Sequence, residues 1–438
     1  MRSFLRALLR LLPFALLGAL LLGLFGSGVG YVLRQLDLLP PESLTIAAGP
    51  RGSAYYETAM AYRAVLARDE IELEIRETQG SVDNARLLSA EEPIDIALVQ
   101  GGVPLGEASE GLAAVHVEPL WVFGSGAIPE DPNRWSGLRV AAGREGSGTR
   151  LIADHLAEIT GANALDRGVA LASGGESAVN ALLANSVDIA LFIAPASAPY
   201  LEPLLTSEQV ALRRLAHSEA IALRMPGARL VRLPSGILDY ARSLPSQELE
   251  LVALVTRLVA HEELHPALVN RLIHAVVEVH SGRGIIPADA NYPAASVTDL
   301  GIEVNGYAAQ LLTDGFSPIE RVLPYWIAAQ FNRVLLVLVP ALLLLLPLLR
   351  LMPALYQAVL NRRVYRHYAR VHEIDATLVS EADRLDANGI QALRSELDAI
   401  EKRLLRESLP NSYRRRAYTL LHHLDYVRRR ADDLLQGT

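Results

Sequence analysis

The chain has 438 residues, too many for one ordinary hydrophobic core, so two or three domains are expected. Its hydrophobic share of 51% is high because two segments read as membrane spans, and what remains has an ordinary globular composition. A net charge of −8 argues against nucleic acid as the main partner, and the lack of cysteine excludes a disulfide framework, a thiolate metal site and a cysteine nucleophile.

Residues 1–10 carry Arg2, Arg6 and Arg10 and no acid. Leu11 to Leu33 (11–33) then runs without a charge, and about 20 apolar residues suffice to cross a bilayer. The segment reads as an anchor or as a signal peptide. Gly26-Ser27-Gly28 would suit a peptidase, but the apolar run continues through Tyr31, Val32 and Leu33, which favours an uncleaved anchor.

From residue 40 an internal repeat sets the pattern. The apolar run Leu44 to Ala47 leads into Ala47-Ala48-Gly49-Pro50-Arg51-Gly52-Ser53 and a helix. Leu138 to Ala141 leads in the same way into Ala141-Ala142-Gly143-Arg144-Glu145-Gly146-Ser147. Asn84 with its following Leu-Leu returns at Asn180, and Asp95-Ile96-Ala97-Leu98 returns as Asp188-Ile189-Ala190-Leu191. Each copy reads strand, Gly/Ser loop, helix, polar loop, helix and apolar strand, the alternation of a parallel sheet covered by helices. Two α/β lobes are therefore expected, 40–122 and 123–222. The cleft between them lies beyond the carboxyl ends of the strands, where helix starts after Gly80 and Gly146 present free N–H groups.

No third copy follows. Residues 223–328 are expected to return to the first lobe, through a strand at Ala220 to Arg224 and helices at Glu248 to Glu263 and Pro266 to His280. The crossovers fall near Trp121-Val122-Phe123 and Ile221-Ala222-Leu223. His261-Glu262-Glu263-Leu264-His265 matches the zinc pattern H-E-x-x-H. Pro266 disfavours helix in the residue before it, which predicts that the first helix stops at or before His265, and Glu278 and His280 lie too close behind to act as a third ligand. A zinc metalloprotease built on His261 and His265 is the remote alternative. The only lysine is Lys402, so no P-loop exists, and Ser147 lacks a G-x-S-x-G frame. No catalytic residue, metal or cofactor is assigned.

A second span is expected over 333–352. Its core, Val334 to Leu349, is flanked by Tyr325, Trp326 and Phe331 on one side and Arg350 on the other, and Pro340 and Pro347 are tolerated in membrane helices. In the tail, 353–438, Arg362, Arg363, Arg366 and Arg370 with Tyr365 and Tyr368 suit anionic headgroups. Leu393, Leu397, Ile400 and Leu404 form an apolar stripe, Pro410-Asn411 interrupts, and Tyr418, Leu421, Leu424 and Val427 form another, which predicts a helical hairpin or short coiled coil. Basic ends around an acidic middle orient the chain in the inner membrane, with both termini cytoplasmic and residues 40–328 periplasmic.

Four stretches carry a family resemblance: Ile46 through Tyr56, Thr78-Gln79-Gly80-Ser81-Val82-Asp83-Asn84, Val99-Gln100-Gly101-Gly102, and Gly146-Ser147-Gly148-Thr149-Arg150. Their order resembles that of the TAXI-type solute receptors of TRAP transporters over about residues 44–325, and the tail from Arg321-Val322-Leu323-Pro324-Tyr325-Trp326 is similar to a membrane-tethered branch of that family. The resemblance implies a type II periplasmic-binding-protein fold, no catalysis, and capture of a small carboxylate such as an amino or dicarboxylic acid, with TRAP permease subunits as the partner. Carried over residue by residue, it implies ligand contacts from Gly49, Ser53, Tyr55 and Tyr56, from Ser81, Asn84 and Gln100, and from Ser147, Gly148 and Thr149. Bland alternatives stand beside these. Ser81 and Ser147 would serve equally as helix N-caps, one of Tyr55 and Tyr56 belongs to the core, and Gln100 would suit a solvated loop. Arg51 and Arg144 depart from the family pattern, and with Arg150 they also read as surface charges. The helical tail motivates a second function, a membrane-anchored solute sensor or scaffold acting through a cytoplasmic partner.

Overall fold

Residues 2–90, 94–282, 284–381, 385–406 and 411–437 are described by a computed structural model. The chain divides into two compact units, one of Asp37–Val334 and one formed by Met1–Leu36 with Leu335–Thr438.

In chain order, α1 (Arg2–Gln35) belongs to the terminal unit. The central unit then begins with β1 (Ser43–Gly49), α2 (Ala54–Leu66), β2 (Glu72–Glu77), α3 (Ser81–Leu88) and β3 (Ile96–Gln100). β1 pairs in parallel with both β2 and β3. All five residues of β3 are buried, as a continuous apolar run in the middle of a helix-covered sheet requires. The long strand β4 (Ser109–Ser125) follows, and then the second copy: β5 (Val140–Ala141), α4 (Gly148–Thr160), α5 (Glu176–Leu183) and β6 (Ile189–Ile193). β5 is parallel to β6, and Ala141 also bridges Leu171 in parallel, where the first copy has β2. The sequence repeat is thus a structural repeat.

α6 (Glu202–Thr206), β7 (Val210–Leu212), α7 (Ser218–Arg224), β8 (Arg229–Leu233) and β9 (Leu249–His261) come next. Two expectations fail here. Ala220 to Arg224 is not a strand: it lies in α7, where Ile221 and Ala222 are buried and Leu223 is 83% exposed, a one-sided helical pattern. Glu248 to Glu263 is not a helix but mostly β9, whose run Leu251 to Ala260 is buried on both faces. A run buried on both faces shows no polar period to separate strand from helix, and only its β-branched residues hinted at the outcome.

β4 and β9 join the two copies. Ser109 to Pro119 of β4 lies antiparallel to β9, and Leu120 to Gly124 pairs instead with β6. The first half of β9 pairs with β8, and Thr256 to Ala260 pairs with Gln100 to Ile96 of β3. The result is a mixed sheet in the order β2-β1-β3-β9-β4-β6-β5, in which both long strands change partners midway. The crossover expected at Ile221-Ala222-Leu223 falls in β9, because that segment is helical.

The unit closes with α8 (Pro266–His280), α9 (Val297–Leu300), α10 (Gly306–Asp314) and α11 (Tyr325–Ala329). One core packs α2 and α8 on the first copy through Tyr62, Leu66, Leu268 and Leu272. Others gather Trp121, Phe123 and Phe192, and Trp135 with Leu156.

α12 (Phe331–Ser380) runs into the terminal unit, which also holds α13 (Ala387–Arg406) and α14 (Asn411–Gly437). The tail is a three-helix bundle, not a two-helix hairpin. Val371, Ile374 and Leu378 of α12 share a core with Leu397, Ile400 and Leu404 of α13 and with Leu420, Leu424 and Val427 of α14. Leu421 and Leu393 are partly buried against that core, but Tyr418 is 71% exposed and leaves the expected stripe. Ion pairs Arg370–Glu396, Asp375–Arg430 and Glu401–Arg428 join the helices pairwise. Pro410 and the side chains of Arg363, Tyr365 and Arg366 lie outside the described residues. The two apolar runs lie in α1 and in α12. Among the described residues no helix is long and apolar enough to cross a membrane.

Candidate functional site

The repeat places four helix starts around one cavity of about 500 Å³, those of α2, α3, α4 and α5, with β3, β4 and β6 contributing strand residues. Each helix follows a glycine-containing turn, so main-chain amides reach the wall without a side chain intervening.

On the first copy, Gly49, Ser53 and Tyr55 line the cavity. Gly49 has φ +85°, and its amide donates to Thr78 Oγ1 at 2.9 Å. Ser53 is the N-cap of α2, its Oγ accepting the Tyr56 amide at 3.2 Å. The Tyr55 hydroxyl donates to Glu118 Oε2 at 3.0 Å, and burial beside that carboxylate raises its pKa well above the usual phenol value. Ser81 and Gln100 complete this side. The Ser81 Oγ accepts the Gln100 amide at 3.1 Å and donates to Tyr55 at 3.4 Å. Ser81 is not an N-cap, because Gly80, at φ +132°, holds that position. A Cβ on Gly80 would lie 3.1 Å from the Ser147 Cα, a separation that reflects how closely the two copies approach.

On the second copy Ser147, Gly148 and Thr149 line the same cavity. Ser147 caps α4, its Oγ accepting the Arg150 amide at 3.2 Å, while Thr149 Oγ1 accepts the Ile193 amide at 3.2 Å. Gly148 faces Gln100 so closely that a Cβ would lie 2.1 Å from Gln100 Oε1. Gln100 is 2% exposed, and its Nε2 has no hydrogen-bond partner. Far from being a solvated loop residue, it is a buried amide whose NH2 group has no acceptor.

Two expected residues are elsewhere. Asn84 is fully buried: its side chain accepts from Thr78 Oγ1 and donates to the Leu98 carbonyl at 2.7 Å, which ties α3 to β3. Tyr56 follows Tyr55 on α2 and points away from the wall, as two neighbours on one helical turn must diverge. The helix start after Gly80 does not offer all its amides either. Those of Val82 and Asp83 donate to the Gly146 carbonyl at 3.1 and 3.3 Å, so one copy's loop caps the other copy's helix. The amides of Gly148 and Thr149, at the start of α4, find no main-chain acceptor among the described residues.

The three arginines separate. Arg51 is at the rim, paired with Glu77 at 3.1 Å. Arg150 is buried and structural, held by Asp154 at 2.6 Å and the Leu165 carbonyl at 2.6 Å. Arg144 lines the cavity, touching the Gly174 carbonyl at 3.4 Å, and has no carboxylate partner among the described residues. Sequence reasoning missed Glu118, Tyr200 and the turn Gly174-Gly175-Glu176, all on the wall. The turn was recoverable by carrying the repeat one step further, from Gly80-Ser81 to its counterpart, and Glu118 was visible as a lone acid in the apolar run from Val115 to Leu120. Tyr200, its pKa raised by burial and by Glu118 and eased by Arg144, feels both charges of the cavity.

The zinc pattern is not a site. His261 ends β9, whereas His265 is the N-cap of α8, accepting the Ala267 amide at 3.1 Å and bonding the Asp37 carbonyl at 3.0 Å. The expected helix end at His265 is a helix start, with Pro266 in the favoured first position. No group of three or more metal-ligating side chains occurs among the described residues.

No protein-family model matches the chain, and no curated protein does. Among solved structures, MatC from Rhodopseudomonas palustris with bound malate is similar at 15% identity and a TM-score of 0.38, over 67% of this chain and 96% of that one. OxyR from Corynebacterium glutamicum is similar at 14% and 0.37, over 62% and 74%. The aliphatic sulphonate binding protein SsuA from Escherichia coli is similar at 14% and 0.33, over 55% and 75%. Likenesses this distant decide neither ligand nor partner.

Proposed function

We propose that this chain is a solute receptor whose two α/β lobes close on a small carboxylate. The observation that carries the reading is the pairing, on one wall, of Arg144 without a carboxylate partner and the unclaimed amides of Gly148 and Thr149, opposite the free Gln100 Nε2. A cation and a helix N-terminus together favour an anion, and a carboxylate can accept from all of them. Glu118, buried with Tyr55 as its close donor, suits a ligand that also carries a hydrogen-bond donor. The order β2-β1-β3-β9-β4, with β9 antiparallel, supports a type II periplasmic-binding-protein arrangement, with lobes hinged in β4 and β9. TRAP permease subunits are the partner that the motif order suggests.

Anchoring by 11–33 and 333–352, with the receptor lobes in the periplasm and both termini in the cytoplasm, belongs to the same proposal. It draws support from the uncharged run of 11–33 and from exposed leucines on α12, among them Leu336 and Leu344. A second reading, a sensor that signals through its tail, is favoured by the separate core of the three-helix bundle.

A thermal-shift screen of the full-length protein against small mono- and dicarboxylates tests the main reading. A ligand at 100 times its Kd stabilises by about 2.7 kcal/mol, a readable shift. Arg144→Met is expected to abolish it. A shift produced only by neutral sugars or by cations contradicts the reading.

A further inference from the structure

The middle strand of the sheet, β9, carries an isolated cation. Arg257 of β9 is 3% exposed and has no ion-pair partner among the described residues. Its guanidinium donates instead to three main-chain carbonyls, each at 2.8 Å: those of Gln100 and Val103, at the carboxyl end of β3, and that of Leu300, at the end of α9. Its Nε has no acceptor. Burial lowers its pKa to about 10, so it remains charged at neutral pH. An unpaired charge in the interior is costly, so packing alone does not account for it.

The carbonyls it holds belong to the turn that carries Gln100. In that turn the Gly101 amide donates to Val255 at 2.8 Å, and Gly102, at φ +81°, passes so near Pro226 that a Cβ would lie 2.3 Å from its carbonyl oxygen. Gln100 leaves this turn to line the cavity, with its Nε2 buried and unpartnered. We infer that Arg257 is a positioning residue for ligand capture: its fork clamps the turn 100–103 so that Gln100 Nε2 meets an acceptor on the ligand, and its unpaired charge tilts the cleft toward anions. The inference rests on the reading of the cavity as a carboxylate site.

Full-length wild type, R257M and R257K separate the clamp from the charge. Amide exchange at Gly101 and Val103 reads the clamp without any ligand. Both variants are expected to speed it by about 10-fold or more, since neither reproduces the planar fork that reaches the three carbonyls from two nitrogens, and unchanged exchange in both overturns the clamp. Calorimetric titration with succinate and with its neutral diamide reads the charge. R257M is expected to weaken the diamide through the lost clamp and succinate about 10-fold more, and R257K, which keeps the charge, to recover that excess. An equal loss for both probes overturns the electrostatic role. If R257M does not fold, R257Q supplies the uncharged variant. A wild type that binds neither succinate nor any other small carboxylate contradicts the function proposed for the cavity, and amide exchange then still decides the clamp.

Discussion

Gln100 and Gly148 meet across the cleft, one from each copy of the repeat, and their contact is what a side chain at 148 would break. A Cβ there would lie 2.1 Å from Gln100 Oε1, so Gly148→Ala must turn the amide out of its place. Carboxylate affinity is expected to fall by about 10-fold, while the melting temperature of the free protein changes little, because the amide sits at the end of a flexible side chain. Titration of the variant against the same carboxylate checks this, and unchanged affinity would remove Gln100 from the site. Ser147→Ala acts twice, since Ser147 both caps α4 and lines the cavity. It is expected to cost about 1 kcal/mol of stability in a denaturant titration, as the loss of a serine N-cap does, in addition to its effect on binding.

At the scale of elements, the end of α8 holds an imidazole whose protonation the fold resists. His280, bonded to the Tyr62 hydroxyl at 2.8 Å, is lowered to about 3 by burial and then by His116. The unfolded chain therefore binds the proton more readily between that value and the ordinary histidine pKa of about 6.5. The stability that neutral His280 contributes is present above pH of about 6.5 and is lost as the pH falls toward 3, and His280→Gln is expected to flatten that part of the stability curve. Denaturant midpoints across this range, with a slope in the variant equal to that of the wild type, would show that His280 is not the group responsible. How well the elements were legible follows from their burial. The repeat marked β1, α2, α3, β3 and their counterparts, because Gly/Ser turns and one-sided helices leave a period in the sequence. β9 left none: buried on both faces, it carries apolar residues on either side with Thr256 and Arg257 adjacent, and α7, with one exposed leucine in an apolar run, reads as a strand. The lining of the cavity was legible where the motif sat at a helix start, as at Ser53 and Ser147. It was fainter at Glu118, a lone acid outside the repeat that a long strand brings to the cavity, and misleading at Asn84, where the same repeat marks a structural tie.

For the whole molecule, the two units invite separate tests. If the central unit alone captures solute, deletion of residues 372–438 is expected to leave carboxylate affinity unchanged, and the loss of a co-purifying partner on that deletion would support the sensing role of the bundle. Reporter fusions that fluoresce only in the cytoplasm test the proposed topology, with fluorescence expected at residue 438 and none at residue 300. The central claim, that two lobes close on a solute, is tested most directly by a distance. The chain has no cysteine, so Glu74→Cys on β2 and Glu158→Cys on α4, both exposed, give two unique spin-label sites, one on each copy. With a saturating carboxylate, the interspin distance is expected to collapse to one short, narrow population, and to spread to longer values when the ligand is removed. A distribution that does not change while the carboxylate demonstrably binds would contradict closure.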